Sequence, residues 1–188
     1  MFIQTEQTPN PATLKFIPEC KVLDKGTANF QTAEDAKEIS PFATKLFEVN
    51  GVIGVFLGKD FISVTKSDDI QWVNLKPTLL GVMIEFFNSG EAIISTGSEL
   101  PKEQEEKTTN AGDDEIVMQI KELLDTRVRP AVAQDGGDII FHKYDDGIVY
   151  LSMLGACDGC PSSTATLKMG IENMLKYYIP EVKEVRAK

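Results

Sequence analysis

The chain has 188 residues, 42% of them hydrophobic and 26% charged, a composition typical of a soluble globular protein and not of a disordered one. Its formal net charge of −10 disfavours nucleic acid and anionic membranes as partners, because both would repel the chain. The longest uncharged run, residues 147–157, is far shorter than the ~20 apolar residues that a membrane-spanning helix needs.

The first predicted elements are a strand and a helix. Residues 12–23 alternate loosely between apolar and polar side chains, which predicts a strand that Pro18 interrupts. Ser40 and Pro41 predict a helix start, with the serine as the cap and the proline at the first helical position. The helix is predicted to end at the Asn-Gly pair that closes with Gly51.

A hairpin and a second helix follow. Residues 52–57 and 61–65 are two apolar runs around a Gly-Lys-Asp turn, the pattern of a β-hairpin. The next helix is predicted after Pro77, and it ends before Gly90. Residues 92–95 predict a last short strand of this region.

Acidic residues are concentrated in the middle of the chain. Residues 99–115 hold seven acidic and two basic side chains, which account for half of the net charge. This stretch has one leucine and no aromatic residue, too little apolar surface to order itself. We therefore predict an N-terminal domain over residues 1–98, a flexible acidic linker over residues 99–113 and a C-terminal domain over residues 114–188. A solvated helix over residues 101–107 is the alternative for the linker.

The second domain repeats the order of the first. Apolar residues recur at the helical period over residues 116–124. Residues 139–144 and 148–154 predict a hairpin, because the Asp-Gly pair between them favours a tight turn. A further helix ends at Pro180, and residues 182–185 predict an edge strand. We therefore predict an α+β protein of two small α/β-layer domains, each with helix–hairpin–helix order.

The strongest chemical signal is a pair of cysteines three positions apart, Cys157 and Cys160. The glycines around them predict a loop that exposes both thiols and leaves backbone N–H groups free to point at sulfur. Pro161 is a natural first helical residue, so Cys160 is predicted at the helix cap, where the positive helix end stabilises a thiolate. Such a pocket, with the hydroxyls of residues 162–164 nearby, suits a soft metal with sulfide.

The number of ligands predicts a second chain. An iron–sulfur cluster or a structural zinc ion usually has four protein ligands, and the motif supplies two. Cys20 is more than a hundred residues away, and His142, the single histidine, falls in a predicted strand. If the centre has four thiolate ligands, two chains must contribute two each, which predicts a homodimer with the metal on its two-fold axis.

Three other interpretations stay open from the motif alone. A purely structural thiol pair is disfavoured, because the glycine-rich loop is expected to expose the cysteines. A zinc ion that bridges two chains has the same donor chemistry. A thiol–disulfide oxidoreductase of the thioredoxin type needs its motif near the start of a βαβ unit, and the 28 residues after Cys160 are too few for the remaining strands of that fold. The chain has no visible nucleophile–base pair or carboxylate dyad, so we predict that it is not an enzyme.

The residues around the motif resemble a known family. The C-terminal domain of NifU-type proteins is similar to residues 154–164, Leu-Gly-Ala-Cys-Asp-Gly-Cys-Pro-Ser-Ser-Thr, with Arg129-Pro130 and residues 134–138, Gln-Asp-Gly-Gly-Asp, upstream. The N-terminal domain of mitochondrial and bacterial Nfu proteins resembles residues 5–16, Thr-Glu-Gln-Thr-Pro-Asn-Pro-Ala-Thr-Leu-Lys-Phe. Together these matches cover nearly the whole chain apart from the linker.

The resemblance implies an iron–sulfur cluster scaffold or carrier. Such a protein would bind a [4Fe–4S] cluster, or a [2Fe–2S] cluster, between two protomers through Cys157 and Cys160. Its partners would be a second copy of itself, upstream cluster-assembly proteins and the apo-proteins that receive the cluster, without nucleic acid or membrane. The first six residues carry no targeting pattern, which fits a bacterial cytoplasmic member of the family or a processed form in the mitochondrial matrix.

Other candidate residues have simpler structural interpretations. Cys20 is predicted to be a small residue at a strand end, with a third ligand or a redox switch as the alternative. His142 is predicted to be a packing or surface residue of its strand, with a metal ligand as the alternative. Trp72 is predicted to seal a core at a helix start, with a recipient-binding face as the alternative. Residues 135–138, with two carboxylates and two glycines, are predicted to form a turn beside the cysteine loop, with a cation site as the alternative.

Overall fold

The structure, a computed structural model, describes residues 1–95, 114–158 and 161–187, without the side chains of Asp114 and residues 161–164. The chain divides into two compact units, Met1–Pro101 and Lys102–Lys188, each with helices and a sheet. The prediction of two mixed α/β domains is thereby confirmed. The predicted domain boundaries and the acidic linker fall outside the described residues, so they stay predictions.

The N-terminal unit is a sheet with helices packed against it. Its elements are β1 Ile3–Gln7, β2 Thr13–Pro18, β3 Ala28–Phe30, α1 Ala33–Lys37, α2 Pro41–Phe47, β4 Val52–Leu57, β5 Ile62–Lys66 and α3 Trp72–Ser89. The strand order is β1-β2-β5-β4-β3, and every neighbouring pair is antiparallel. The run α2–β4–β5–α3 is the predicted helix–hairpin–helix order.

Helix α2 begins where the sequence predicts. The Ser40 hydroxyl accepts a hydrogen bond from the Ala43 amide at 3.0 Å and donates one to the Ile93 carbonyl at 2.6 Å. Phe42 and Leu46 are fully buried and anchor the helix to the sheet. The helix ends at Phe47, before the predicted Asn-Gly end.

The predicted start of α3 is wrong. The helix begins at Trp72, and Pro77 lies inside it instead of before it. The buried stripe of α3 explains the difference, because it includes Leu75 as well as Leu79. Leu75 precedes the proline, so burying it requires helical backbone on both sides of Pro77. This packing outweighs the lost backbone hydrogen bond of a proline near the helix start.

The predicted strand at residues 92–95 is also absent from the described residues. The Ser95 amide donates instead to the Ile39 carbonyl at 2.8 Å. The Ile93 carbonyl accepts the hydroxyl of the α2 cap, Ser40. These hydrogen bonds tie the segment after α3 to the α1–α2 connection, so it does not pair with an edge of the sheet.

The C-terminal unit also has helices on a sheet. Its elements are α4 Asp114–Leu123, a π-helical turn Leu124–Val128, α5 Arg129–Gln134, β6 Gly137–Asp145, β7 Ile148–Gly155, α6 Pro161–Tyr178 and β8 Glu184–Ala187. The predicted hairpin is β6–β7, and its turn uses the positive φ angles of Asp146 (45°) and Gly147 (86°). Strand β8 begins two residues later than predicted and runs parallel to β7, so α6 is the crossover helix of a βαβ unit. None of the described helices of either unit is long and apolar enough to cross a membrane.

Glu172 fastens α6 to β8. Its Oε2 accepts a hydrogen bond from the Val185 amide at 2.9 Å, and its Oε1 accepts one from the Lys176 ammonium at 2.6 Å. The Lys176 hydrogen bond, followed by that from Val185, lowers the pKa of the Glu172 carboxyl below its ordinary value of 4.5.

Glu172→Gln is expected to lower the free energy of unfolding of the C-terminal unit at neutral pH by about 1 kcal/mol, the usual net value of a hydrogen bond. Because the folded-state pKa is lowered, the contribution of the carboxylate is fully present above pH 4.5 and is lost as the pH falls through the folded-state pKa. Urea unfolding of wild type and variant should therefore show a gap that closes in acid. A gap that persists unchanged to about pH 3 would contradict this role of the carboxylate.

Candidate functional site

The predicted site lies at the end of the C-terminal sheet opposite the hairpin turn. Helix α5 ends at Gln134, and Gly136, with φ of 84°, turns the chain into β6. Strand β6 begins at Gly137, which pairs directly with Gly155 at the end of β7. Gly155 has φ of 65°, a backbone conformation that favours glycine, and it turns the chain into the cysteine loop.

Cys157 lies in a short, hydrogen-bonded turn. The Asp158 amide donates to the Gly155 carbonyl at 3.1 Å and closes the turn around Cys157. The Ala156 amide donates to the Gly136 carbonyl, also at 3.1 Å. The first half of the cysteine loop is therefore attached to Gly136, directly before β6. Of the turn predicted at residues 135–138, only Asp135 and Gly136 form a turn, because Gly137 and Asp138 already belong to β6.

The expectation that the loop exposes its thiols is wrong for Cys157. Only 5% of the Cys157 surface is exposed, and the residue packs in the core of the C-terminal unit. The cause is Gly137: a Cβ atom at this position would lie 2.9 Å from the Cys157 Sγ and 2.5 Å from the Leu154 carbonyl oxygen. The cysteine side chain thus fills space that only a glycine at position 137 leaves.

A charged group supports the strand that begins beside Cys157. The Arg129 Nε lies 3.1 Å from Asp125 Oδ1 and 3.7 Å from Asp138 Oδ1. Asp138 is buried, and its Oδ1 also accepts the Ile139 amide at 2.8 Å. The carboxylate of Asp138 is therefore used to hold the start of β6 and α5 together, which disfavours the alternative of a cation site at residues 135–138.

Cys160 lies outside the described residues. Helix α6 begins at Pro161, as predicted, so Cys160 immediately precedes the helix in the sequence. Its predicted place at the helix cap and its predicted role as a ligand stay predictions. Within residues 1–95, 114–158 and 161–187, no three His, Cys, Asp or Glu side chains are grouped so that they could hold a metal ion.

Of the other candidate residues, His142 and Trp72 make structural contacts. Cys20 is exposed, two residues after β2. The His142 Nε2 lies 2.7 Å from the Ser152 Oγ, a contact between the two strands of the hairpin. The Trp72 indole N–H donates to the Pro11 carbonyl at 3.0 Å, and its ring packs against the core of the N-terminal unit, as predicted.

Sequence reasoning missed Gly137, which borders the space that Cys157 fills, and Arg129, which pairs with Asp138 at the start of β6. Arg129 was noted only as part of a resemblance, and its pairing with Asp138 depends on how α5 returns to β6. Gly137 was assigned to a turn, although it is the first residue of β6. Two consecutive glycines directly before a strand were the available signal, because a glycine in a strand often marks a close approach of another chain segment.

Comparison with known proteins identifies both units. Residues 3–90 match the family model described as "Scaffold protein Nfu/NifU N terminal". Residues 120–186 match the model described as "NifU-like domain". Two similar proteins are named NFU1 iron-sulfur cluster scaffold homolog, mitochondrial. The one from Drosophila sechellia is 50% identical over 186 residues and the one from Drosophila willistoni is 48% identical over 185 residues.

These alignments cover 98% of this chain, but the chain spans only 64% and 63% of the two relatives. Among solved structures, a NifU-like protein from Saccharomyces cerevisiae is 24% identical, with a TM-score of 0.45, over 50% of this chain and 85% of that one. A protein from Staphylococcus aureus is 27% identical, with a TM-score of 0.39, over 44% of this chain and 99% of that one.

Proposed function

Because the chain belongs to the Nfu/NifU family, we propose that it is an iron–sulfur cluster scaffold or carrier, which binds a cluster and passes it on without enzymatic turnover. The observation that carries the proposal is the position of Cys157. It lies on the turn that ends β7, three residues before Cys160 and four before the start of α6. Cys157 lies at the end of the sheet, and in the sequence Cys160 directly precedes the first residue of an 18-residue helix.

The junction has the chemistry that a cluster needs. Thiolates are the protein ligands of iron–sulfur clusters, and the positive end of a helix stabilises a thiolate beside it. In our proposal Cys160, next to Pro161, takes this position, and Cys157 approaches the same cluster from the end of β7. The burial of Cys157 adds one requirement, since its side chain must turn outward from the space beside Gly137 before the sulfur can reach iron.

The cluster is shared between two chains in this proposal. Each chain supplies Cys157 and Cys160, so two protomers complete the four ligands of a [4Fe–4S] cluster. A [2Fe–2S] cluster is the second form that four thiolates can hold. With two ligands from each protomer, thiolates of a recipient protein can displace them one at a time, which makes the bound cluster transferable.

The partners follow from this role. They are a second copy of the chain, the assembly proteins that supply the cluster and the apo-proteins that accept it. The names of the relatives place those proteins in mitochondria. We infer the mitochondrial matrix as the place where this chain acts, with the bacterial cytoplasm as the alternative.

One observation favours a second candidate function, a thiol–disulfide oxidoreductase. The cysteine motif lies between β7 and α6 of a βαβ unit, the context in which a CxxC redox pair is expected. Against it, β8 is the one strand that follows the motif within the described residues, which is too few for the remaining strands of a thioredoxin-type fold.

Iron and sulfide analysis of anaerobically purified protein tests the proposal. A [4Fe–4S] cluster shared by two chains gives about two irons and two sulfides per chain, and a [2Fe–2S] cluster about one of each. A bridging zinc ion gives about half a zinc per chain and no visible absorption. Protein that stays free of iron and sulfide after anaerobic reconstitution, yet reduces disulfides, would replace the scaffold proposal with the oxidoreductase.

A further inference from the structure

Helix α6 has a wide outward side, and the one exposed charged residue in the described part of the helix, Lys176, lies at the edge of this side and pairs with Glu172. This side, the outer face of α6, consists of exposed positions that recur at the helical period: Ala165, Thr166, Met169, Gly170, Asn173 and Tyr177. Met169 is 65% exposed and Tyr177 is 79% exposed. A Cβ atom built on Gly170 would meet no other atom within 4 Å, so the middle of the face is open.

The charged residues of the described part of α6 lie to one side of this face. Glu172 bonds the Val185 amide of β8 and pairs with Lys176, and Lys168 is close enough to Glu172 to lower its pKa. By contrast, the outward side of α4 is charged, with Glu115 and Glu122 exposed. A surface helix of a chain that is 26% charged normally turns charged residues to solvent, so the composition of the outer face of α6 needs another explanation.

We propose that the outer face of α6 packs against a second copy of this chain in the cluster-bound dimer. The proposal rests on the proposed function, in which the partner completes the ligand set at the start of α6. A partner protomer that shares the cluster bound by Cys157 and Cys160 is brought beside α6, which starts one residue after Cys160. A two-fold interface uses the same patch on both copies, so the patch must be compatible with itself.

The lack of charged side chains makes the outer face of α6 the best candidate for the contact between the two protomers. Acidic side chains of two copies repel each other wherever they meet, and residues 116–188 hold ten acidic and nine basic side chains. An uncharged face with an exposed methionine and tyrosine avoids this repulsion and buries apolar and aromatic side chains of the type that is enriched in interfaces. An 18-residue helix is about 27 Å long, long enough to continue the contact well beyond the cluster.

Met169→Glu tests the inference on the full chain, reconstituted anaerobically with iron and sulfide. A charge on this face appears on both copies, and like charges that meet in an interface cost several kcal/mol. We expect the dissociation constant of the cluster-bound dimer, measured by analytical ultracentrifugation, to rise at least tenfold. An equimolar mixture of Met169→Glu and Met169→Lys chains should recover most of the dimer, because opposite charges then face each other.

The matched control is Met118→Glu on α4. Met118 is 67% exposed, almost the same as Met169, so the two substitutions remove equally little packing. Thermal unfolding of both variants without cluster should match the wild type, and the control should dimerise like the wild type. Equal dimerisation of Met169→Glu and Met118→Glu would overturn the inference. So would unchanged dimerisation with slower cluster transfer to an apo-protein that has four cysteine ligands, which would assign the face to recipients.

The two proposals can fail separately. Wild-type protein that binds about two irons per chain and dimerises, while Met169→Glu dimerises equally well, would leave the scaffold proposal intact and remove the interface. Wild-type protein without iron would remove the scaffold proposal, and with it the cluster-bound dimer that the interface requires.

Discussion

Replacement of either motif cysteine, by Cys157→Ala or Cys160→Ser, is expected to reduce the iron and sulfide bound per chain to background. Each substitution removes two of the four thiolates from a symmetric dimer, and a cluster with two ligands left loses its iron to solvent and chelators. Alanine is the better replacement at position 157, because this side chain is buried and alanine removes the sulfur without placing a new hydroxyl in the core. Iron, sulfide and the visible absorption of reconstituted protein measure the effect.

Cys20→Ser is the matched control, because Cys20 is exposed and belongs to the other unit. It should keep the full cluster content. A mixture of wild-type chains and double-variant chains (Cys157→Ala with Cys160→Ser) tests directly whether two chains share one cluster. A mixed dimer would hold only two thiolates and is therefore expected to hold no stable cluster. Stable cluster in the mixed dimer, isolated by a tag on each chain, would show that a single protomer suffices and would end the shared-ligand proposal.

Gly137→Ala is expected to have the second-largest effect on this protein, lowering both its stability and its cluster content. The added methyl group would lie 2.5 Å from the Leu154 carbonyl oxygen and 2.9 Å from the Cys157 sulfur, so β6, β7 or the cysteine must move. Overpacking of this kind typically costs about 1–3 kcal/mol of stability. Because one of the two displaced groups is the proposed ligand, we also expect the cluster content to fall below the wild-type value.

Gly81→Ala, in the interior of helix α3 of the N-terminal unit, provides the comparison. The added methyl group meets no atom within 4 Å, and alanine in a helix interior is favoured over glycine by about 0.5–1 kcal/mol. This variant should therefore unfold at a slightly higher temperature and keep its cluster. If Gly137→Ala instead matched the wild type in unfolding temperature and iron content, the close approach of Gly137 and Cys157 would have no importance for the site.

Elements that depend on a few neighbouring residues could be predicted from the sequence. The cap at Ser40 and the tight turn at Asp146-Gly147 are examples, because a side-chain cap or a turn conformation is decided within about four residues. The helix after the cysteine motif is another. Its apolar period predicts one inward face of Leu167, Ile171, Met174, Leu175 and Tyr178, of which Ile171 and Leu175 are buried, whereas Tyr178 is 45% exposed.

Elements that depend on distant contacts were predicted less well. Pro77 was interpreted as a helix boundary, but burial of Leu75 in the core of the N-terminal unit extends α3 to Trp72. The short β3 and α1 of the same unit were not predicted at all, because their three and five residues carry too little periodicity to be recognised.

The amino-acid sequence by itself determined the chemical character of the site, because the number and spacing of its cysteines follow from the order of residues alone. Only the tertiary structure decided that Cys157 is buried. Its neighbour Gly137 is twenty residues earlier in the chain, and the antiparallel register of β6 and β7 brings the two together. Spacing along the chain predicts which donors are present, but burial depends on contacts between segments that no local pattern records.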